Sequence, residues 1–192
     1  METVETIGHK GFNINVHLDE CDHEGPRDWD NLGTMICFHS RYNLGDDHNM
    51  DREDAREISE DKDTISLPLY LYDHAGITMS TGPFSCPWDS GQVGIIYITK
   101  EDIRKEMARP KPLKKGQINP DRAEIKHETK KDIDRVIECL KGEVKTYDQY
   151  LTGEVYGFTI TPEDDEDDVL DSCWNFYGPP EDYMIPECKS II

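Results

Sequence analysis

The residues best suited to covalent chemistry lie in residues 73–94, a stretch rich in glycine and proline. It contains two candidate nucleophiles, a candidate base and an acid that could orient that base, namely Cys86, Ser90, His74 and Asp89. A nucleophile needs a base within hydrogen-bond reach, and the sequence has no G-x-S-x-G motif. A Cys/His-dependent hydrolase is therefore an alternative. We favour a structural role in which glycines permit turns and Phe84 and Trp88 fill the core.

Two Cys-x-His pairs suggest metal chemistry, Cys21 with His23 and Cys37 with His39. Residues two apart in a strand share a face, but zinc sites use longer spacings between paired ligands. The acidic clusters offer oxygen ligands for Ca²⁺ or Mg²⁺, yet the EF-hand spacing is absent. Glycine-rich phosphate loops are absent as well. We therefore expect no metal site, no cofactor and no catalytic residue.

The charge is strongly negative and unevenly placed. The chain has 192 residues and a formal charge of −20, most of which comes from three segments, residues 17–30, 46–63 and 163–171. A basic connector follows at residues 109–120. Such a chain repels phosphate backbones, so strong direct binding to nucleic acid is not expected. Its field attracts basic proteins instead.

Composition also excludes several classes of protein. The chain has no run of about 18 apolar residues, which a membrane-spanning helix would need. The N-terminus lacks the pattern of a secretory signal. The six cysteines include no C-x-x-C pair. Without a secretory signal they are expected to be free thiols, mostly buried. We expect a protein of the cytoplasm that does not contact membranes.

Alternation of apolar residues predicts strands at residues 11–18, 33–39, 65–72, 76–80, 92–99 and 154–161. The strand at 92–99 is apolar on both faces and is expected to be central. Residues 50–61 and the segment after Thr99 read as short helices. Apolar steps of three and four within 121–150 predict one long helix. A further short helix at 169–178 and an irregular C-terminal tail complete the pattern.

These elements must position any site. Strands followed by a long helix and a last strand predict a single α+β domain over residues 1–192. We expect a mainly antiparallel sheet with the long helix packed on one face. No internal repeat is visible.

Four stretches carry a family resemblance, LPLYLYDHAGITMSTGPFSCPWDSGQVGIIYITKEDIRKE (67–106), PRDWDNLGTM (26–35), KGEVKTYDQYLTGEVYGF (141–158) and CWNFYG (173–178). Together they resemble a family of small acidic proteins of bacteriophages and bacterial mobile elements, which has no assigned catalytic residues. The chain is also similar in character to type II anti-CRISPR proteins, which inhibit Cas9. The resemblance implies an inhibitor in the cytoplasm of a bacterial host.

The leading hypothesis is an anti-CRISPR protein that binds Cas9 with its guide RNA and blocks DNA binding or cleavage through acidic surfaces that mimic DNA. Cas9 holds its heteroduplex in a positively charged channel, which suits such a mimic. The alternatives are an anti-restriction DNA mimic, the hydrolase above, and a phage accessory or regulatory protein. The expected partner-binding residues are Asp46, Asp47, Asp51, Glu53, Asp54, Asp164, Asp165, Glu166, Asp167 and Asp168.

Overall fold

The computed structural model describes residues 2–19, 25–106, 109–112, 118–123 and 127–192. Its strands are β1 (Thr3–His9), β2 (Phe12–Leu18), β3 (Thr34–Cys37), β4 (Thr64–Asp73), β5 (Ile77–Ser80), β6 (Ser90–Thr99), β7 (Arg109–Pro112), β8 (Ile118–Ala123), β9 (Val155–Pro162) and β10 (Asp171–Tyr177). Its helices are α1 (Arg52–Glu60), α2 (Lys100–Glu106), α3 (Lys130–Thr152) and α4 (Met184–Ile191).

The fold class is α+β, as the order of elements predicts. Eight strands form two antiparallel sheets, and α3 is the long helix of the C-terminal half. The domain consists of two compact units, a terminal unit (Met1–Pro26 and Thr146–Ile192) and a central unit (Arg27–Lys145). The extent of the domain, residues 1–192, stays a prediction.

The terminal unit contains a sheet in the order β1-β2-β9-β10. Its core lies on one face, where Ile14 of β2 is paired with Ile160 of β9 and Val16 with Phe158. Helix α4 covers these side chains with Met184, Ile185 and Cys188. Burial of such apolar surface is the main term that stabilises the unit.

Polar side chains occupy the other face of this sheet. The imidazole of His17 contacts the hydroxyls of Thr3 and Thr159 at 3.1 and 2.9 Å and stacks on the indole of Trp174. Desolvation by burial lowers the pKa of His17, because a charged imidazole would lose its hydration there. His17 is therefore a satisfied structural histidine rather than a free ligand.

The central unit contains a second sheet in the order β3-β6-β4-β5. Strand β6 is central, as its two apolar faces predict. Ile95 packs with Ile36 and with Ala55 of α1 on one face. On the other face, a Cβ on Gly33 would meet side-chain atoms of both Leu140 of α3 and Ile96, at 2.3 and 2.9 Å. The side chains of Leu140 and Ile96 are therefore close neighbours. The long helix thus packs on a sheet face, as expected.

The predicted helix ends and the proline in β4 have clear local causes. The hydroxyl of Thr99 accepts a hydrogen bond from the amide of Asp102 and caps α2. Gly153 follows α3 with φ +76°, a conformation that favours glycine at a helix end. Pro68 pairs with Ile95 of β6, precedes the part of β4 that pairs with β5, and lies close to the register shift between Leu69 and Tyr70, a kind of position at which sheets tolerate proline.

Two expectations about local structure were wrong, and one strand was missed. Residues 169–178 do not form a helix, because residues 171–177 pair with β9 as β10. The tail is not irregular, because α4 buries Met184 and Ile185, whereas Tyr183 stays exposed. Strand β1 was not predicted, since most of its side chains are exposed and no apolar alternation marks it.

The basic connector contains more structure than its prolines suggest. Strands β7 and β8 pair as an antiparallel hairpin within residues 109–123. Residues 113–117 of the predicted connector lie outside the described residues.

Candidate functional site

The structure brings Cys86, Asp89 and His74 together in the central unit. The thiol of Cys86 lies 3.6 Å from Oδ2 of Asp89, and Nδ1 of His74 lies 3.5 Å from the same oxygen. The hydroxyl of Ser90 donates to the backbone carbonyl of Cys86. The sequence therefore identified residues that do meet in space.

The order of these contacts differs from that of a nucleophile activated by a base. In such a site the imidazole contacts the nucleophile and the acid orients the imidazole. Here the carboxylate of Asp89 stands between the thiol and the imidazole, and His74 stacks on Tyr72. The hydroxyl of Ser90 is engaged by a backbone carbonyl. In this arrangement the contacts among Cys86, Asp89 and His74 stabilise the conformation of the loop.

The same loop presents an exposed tryptophan. The expectation that Trp88 fills the core is wrong, because its side chain is 92% exposed. Phe84 instead packs on the ring of Tyr72 with centroids 5.7 Å apart. The loop thus buries one aromatic ring partly and leaves the other in solvent.

A cleft of about 330 Å³ lies beside Trp88 in the central unit. Its lining includes His39, Arg41, Asp73 and Asp89. The guanidinium of Arg41 pairs with the carboxylate of Asp73 and lies 5.5 Å from the centre of the Tyr42 ring. The lining is mostly polar and charged, and Leu71, Trp88 and Val93 are its apolar side chains.

The cysteine and histidine pairs do not form a zinc site within the described residues. No group of three or more His, Cys, Asp or Glu side chains is placed there to hold a metal ion. Cys37 is buried, and His39 stacks on Tyr42 with ring centroids 4.9 Å apart. Cys21 and His23 lie outside the described residues.

Five predicted partner-binding residues lie in the central unit, and Asp46 among them has a structural role. Both of its carboxylate oxygens accept hydrogen bonds from Arg27 at 2.8 Å, and Oδ2 also accepts from the amide of Met35. Arg27 contacts Glu143 as well, and its side chain is only 8% exposed. Sequence reasoning missed this network, because Arg27 and Glu143 lie far apart in the chain.

Two further acids begin helix α1. The carboxylate of Asp51 accepts from the amides of Glu53 and Asp54, and the carboxylate of Asp54 accepts from the amide of Asp51. This capping box satisfies amides that the first helical turn leaves unpaired. Glu53 pairs with Arg56 across the helix surface, and Asp47 is exposed. The pair between Glu53 and Arg56 is exposed and contributes little to stability, so Asp47 and Glu53 are the members of this group whose replacement should disturb the fold least.

The other five predicted residues lie in the acidic hairpin loop (residues 163–170), which joins β9 to β10 in the terminal unit. All five are exposed. No described lysine or arginine forms an ion pair with any of Asp164, Asp165, Glu166, Asp167 and Asp168. The exposed side chains of Val169 and Leu170 follow them.

Backbone hydrogen bonds anchor both ends of the acidic hairpin loop. The amide of Glu163 donates to the carbonyl of Gly11 at 3.1 Å, and the amide of Leu170 donates to the carbonyl of Ile160 at 2.9 Å. Within the loop, the amide of Asp167 donates to the carboxylate of Asp165. The acids are thus carried on a short connection between paired strands.

Thiol reactivity offers a test of how the cysteines are placed. Desolvation raises the pKa of Cys37 to about 12 and that of Cys188 to about 11. At a pH of about 8 we expect iodoacetamide to modify the exposed Cys139 and Cys173 much faster than these two thiols, since the thiolate is the nucleophile. Peptide mapping by mass spectrometry measures this, and equal labelling in the native protein would contradict the burial.

Comparison of the chain with protein-family models, curated proteins and solved structures found no significant match. The resemblance to phage proteins thus stays a prediction. None of the helices in the described residues combines the length and apolar content needed to cross a bilayer.

Proposed function

We propose that this protein is a phage or mobile-element inhibitor that binds a nucleic-acid-targeting defence nuclease in the cytoplasm of a bacterial host. The favoured target is Cas9 with its guide RNA. The inhibitor places carboxylates where the nuclease would hold nucleic-acid phosphates and so blocks DNA binding or cleavage. A basic channel of this kind attracts an acidic protein through the same field that attracts DNA.

The observation that supports the proposal most strongly is the acidic hairpin loop. It carries six consecutive acids and no basic residue, and no described cation pairs with Asp164 to Asp168. Its ends are tied to the sheet, so part of the ordering cost of binding is already met. A basic partner would supply the missing cations through charge-assisted hydrogen bonds.

The decisive experiment reverses the charge of this loop. We expect a variant with Lys at Asp164, Asp165, Glu166, Asp167 and Asp168 to bind Cas9–guide RNA at least about 100-fold more weakly than the wild type, because attraction becomes repulsion. The loop is exposed, so the variant should fold. Binding is measured by surface plasmon resonance and inhibition by a DNA cleavage assay, each at low and high salt.

A matched control separates the loop from net charge. It carries the same number of acid-to-Lys changes at exposed positions elsewhere, namely Glu5, Asp30, Glu57, Asp134 and Glu181. This control should retain most of the binding. Equal binding and inhibition by the two variants would reject the loop as the contact surface.

A second pair of substitutions tests the central unit without disturbing it. Asp47→Lys and Glu53→Lys avoid Asp46, Asp51 and Asp54, whose carboxylates hold the fold.

If the wild type does not bind Cas9–guide RNA at any salt, the proposal of Cas9 as the target fails. Binding to a restriction enzyme would then support the anti-restriction alternative, and binding to neither would favour an accessory or regulatory protein.

A further inference from the structure

The loop that carries Trp88 is held in place by contacts at both ends. The amide of Asp73 donates to the carbonyl of Asp89 at 2.8 Å, and the hydroxyl of Ser90 donates to the carbonyl of Cys86. The thiol of Cys86 also contacts the carboxylate of Asp89. The backbone around Trp88 is therefore arranged before any partner arrives.

Trp88 contributes nothing to the core from this position. Its side chain is 92% exposed, whereas Trp29 in the same unit is 48% exposed. A large aromatic group held in solvent on an ordered loop is typical of the anchor residues that dominate protein interfaces. The fold does not require the indole, so a partner is the better explanation for it.

Arg41, which lines the cleft beside Trp88, already shows how this surface holds a guanidinium. The guanidinium of Arg41 pairs with the carboxylate of Asp73 and lies over the face of the Tyr42 ring, so it contacts both a carboxylate and an aromatic ring. Trp88 and Asp89 are adjacent in the chain and both line the cleft, so they offer the same two groups. The partially exposed carboxylate of Asp89 contacts the side chains of His74 and Cys86, and no described lysine or arginine forms an ion pair with it.

We propose that Trp88 and Asp89 form an arginine-binding site for a basic partner protein. The guanidinium stacks on the indole and donates hydrogen bonds to the carboxylate of Asp89. Stacking of this kind favours arginine over lysine, since the guanidinium is planar and weakly hydrated. The charge of −20 selects a basic occupant, and the identity of that occupant as a nuclease rests on the proposed function above.

The first arm of the test needs no nuclease. Fluorescein-labelled peptides of alternating glycine and arginine, or glycine and lysine, are titrated with the full chain. We expect tighter binding of the arginine peptide, and a roughly three- to tenfold loss in Trp88→Ala and Asp89→Asn. Trp88→Phe should recover part of the loss, and the control Trp29→Ala should bind like the wild type.

Tryptophan emission supplies a second readout in the same arm. The difference spectrum between wild type and Trp88→Phe isolates the signal of Trp88. Because this indole is in solvent, its emission should change on addition of the arginine peptide and less with the lysine peptide. Equal affinities for both peptides, with no effect of Trp88→Ala, would overturn the inference.

The second arm separates this site from the proposed function. If Cas9–guide RNA binds the wild type, Trp88→Ala should weaken binding by about 30-fold, as expected for an aromatic anchor. If Trp88→Ala binds the nuclease normally and only the charge reversal of the acidic hairpin loop loses binding, the arginine site is rejected and the proposed inhibitor function stands. A positive peptide arm without nuclease binding keeps the site and rejects the Cas9 target.

Discussion

Replacing Arg27 with methionine is expected to lower the free energy of unfolding by about 3–5 kcal/mol. The guanidinium donates to both oxygens of Asp46, to Glu143 and to the carbonyl of Gly33. Its removal leaves two largely buried carboxylates facing each other with no cation between them. Urea denaturation followed by circular dichroism measures the change.

Two comparisons test the cause of this loss. Arg27→Met combined with Asp46→Asn and Glu143→Gln should be more stable than Arg27→Met alone, because the stranded charges are gone. Arg41→Met removes an ion pair whose arginine is mostly exposed, so it should cost less than about 1 kcal/mol. Equal losses in Arg27→Met and Arg41→Met would contradict the buried network.

Gly94→Ala is expected to destabilise the central unit by about 3 kcal/mol or more. A Cβ on Gly94 would lie 1.9 Å from the carbonyl oxygen of Ile36 and 3.0 Å from Cα of Cys37. These are backbone atoms of the neighbouring strand, so they cannot move away without breaking the pairing of β3 with β6. Thermal and urea denaturation report the loss.

Gly91 provides the matched control in the same strand. A Cβ at Gly91 meets nothing within 4 Å, so Gly91→Ala should change the stability by less than about 1 kcal/mol. Comparable destabilisation by Gly94→Ala and Gly91→Ala would show that the general cost of changing a strand glycine, and not the close approach of Ile36, sets the effect.

The acids that the sequence predicts as partner contacts fall into two groups, those that hold the fold and those that lie on an exposed loop. Asp46, Asp51 and Asp54 use their carboxylates to satisfy Arg27 or backbone amides. In the acidic hairpin loop, the carboxylate of Asp165 accepts from the amide of Asp167 inside the loop itself, and no described lysine or arginine pairs with Asp164 to Asp168. A reversal experiment confined to the loop therefore reports on binding, whereas one that includes Asp46 would mix binding with stability.

Periodicity within the chain was sufficient to predict most of the fold. Alternation placed β2 and β9, and two apolar faces marked β6 as the central strand. Apolar steps of three and four predicted α3, and Gly153 marked its end. These features depend on local propensity and on burial of one face, which the order of residues expresses directly.

Strand β10 was missed because its alternation is broken. Asn175 has φ 66°, and the register with β9 shifts between Cys173 and Phe176. Trp174 therefore stacks on His17 at one face of the sheet, while Phe176 packs on Phe158 at the other. A bulge of this kind erases the period of two that identifies a strand.

The sequence by itself determined the α+β class, the acidic segments and the cluster of reactive residue types in 73–94. Tertiary structure alone decided their roles, because those depend on partners distant in the chain. Asp46 became structural through Arg27 and Glu143, and Asp89 came to separate Cys86 from His74. Trp88 was left in solvent because the loop folds Phe84, not Trp88, against Tyr72.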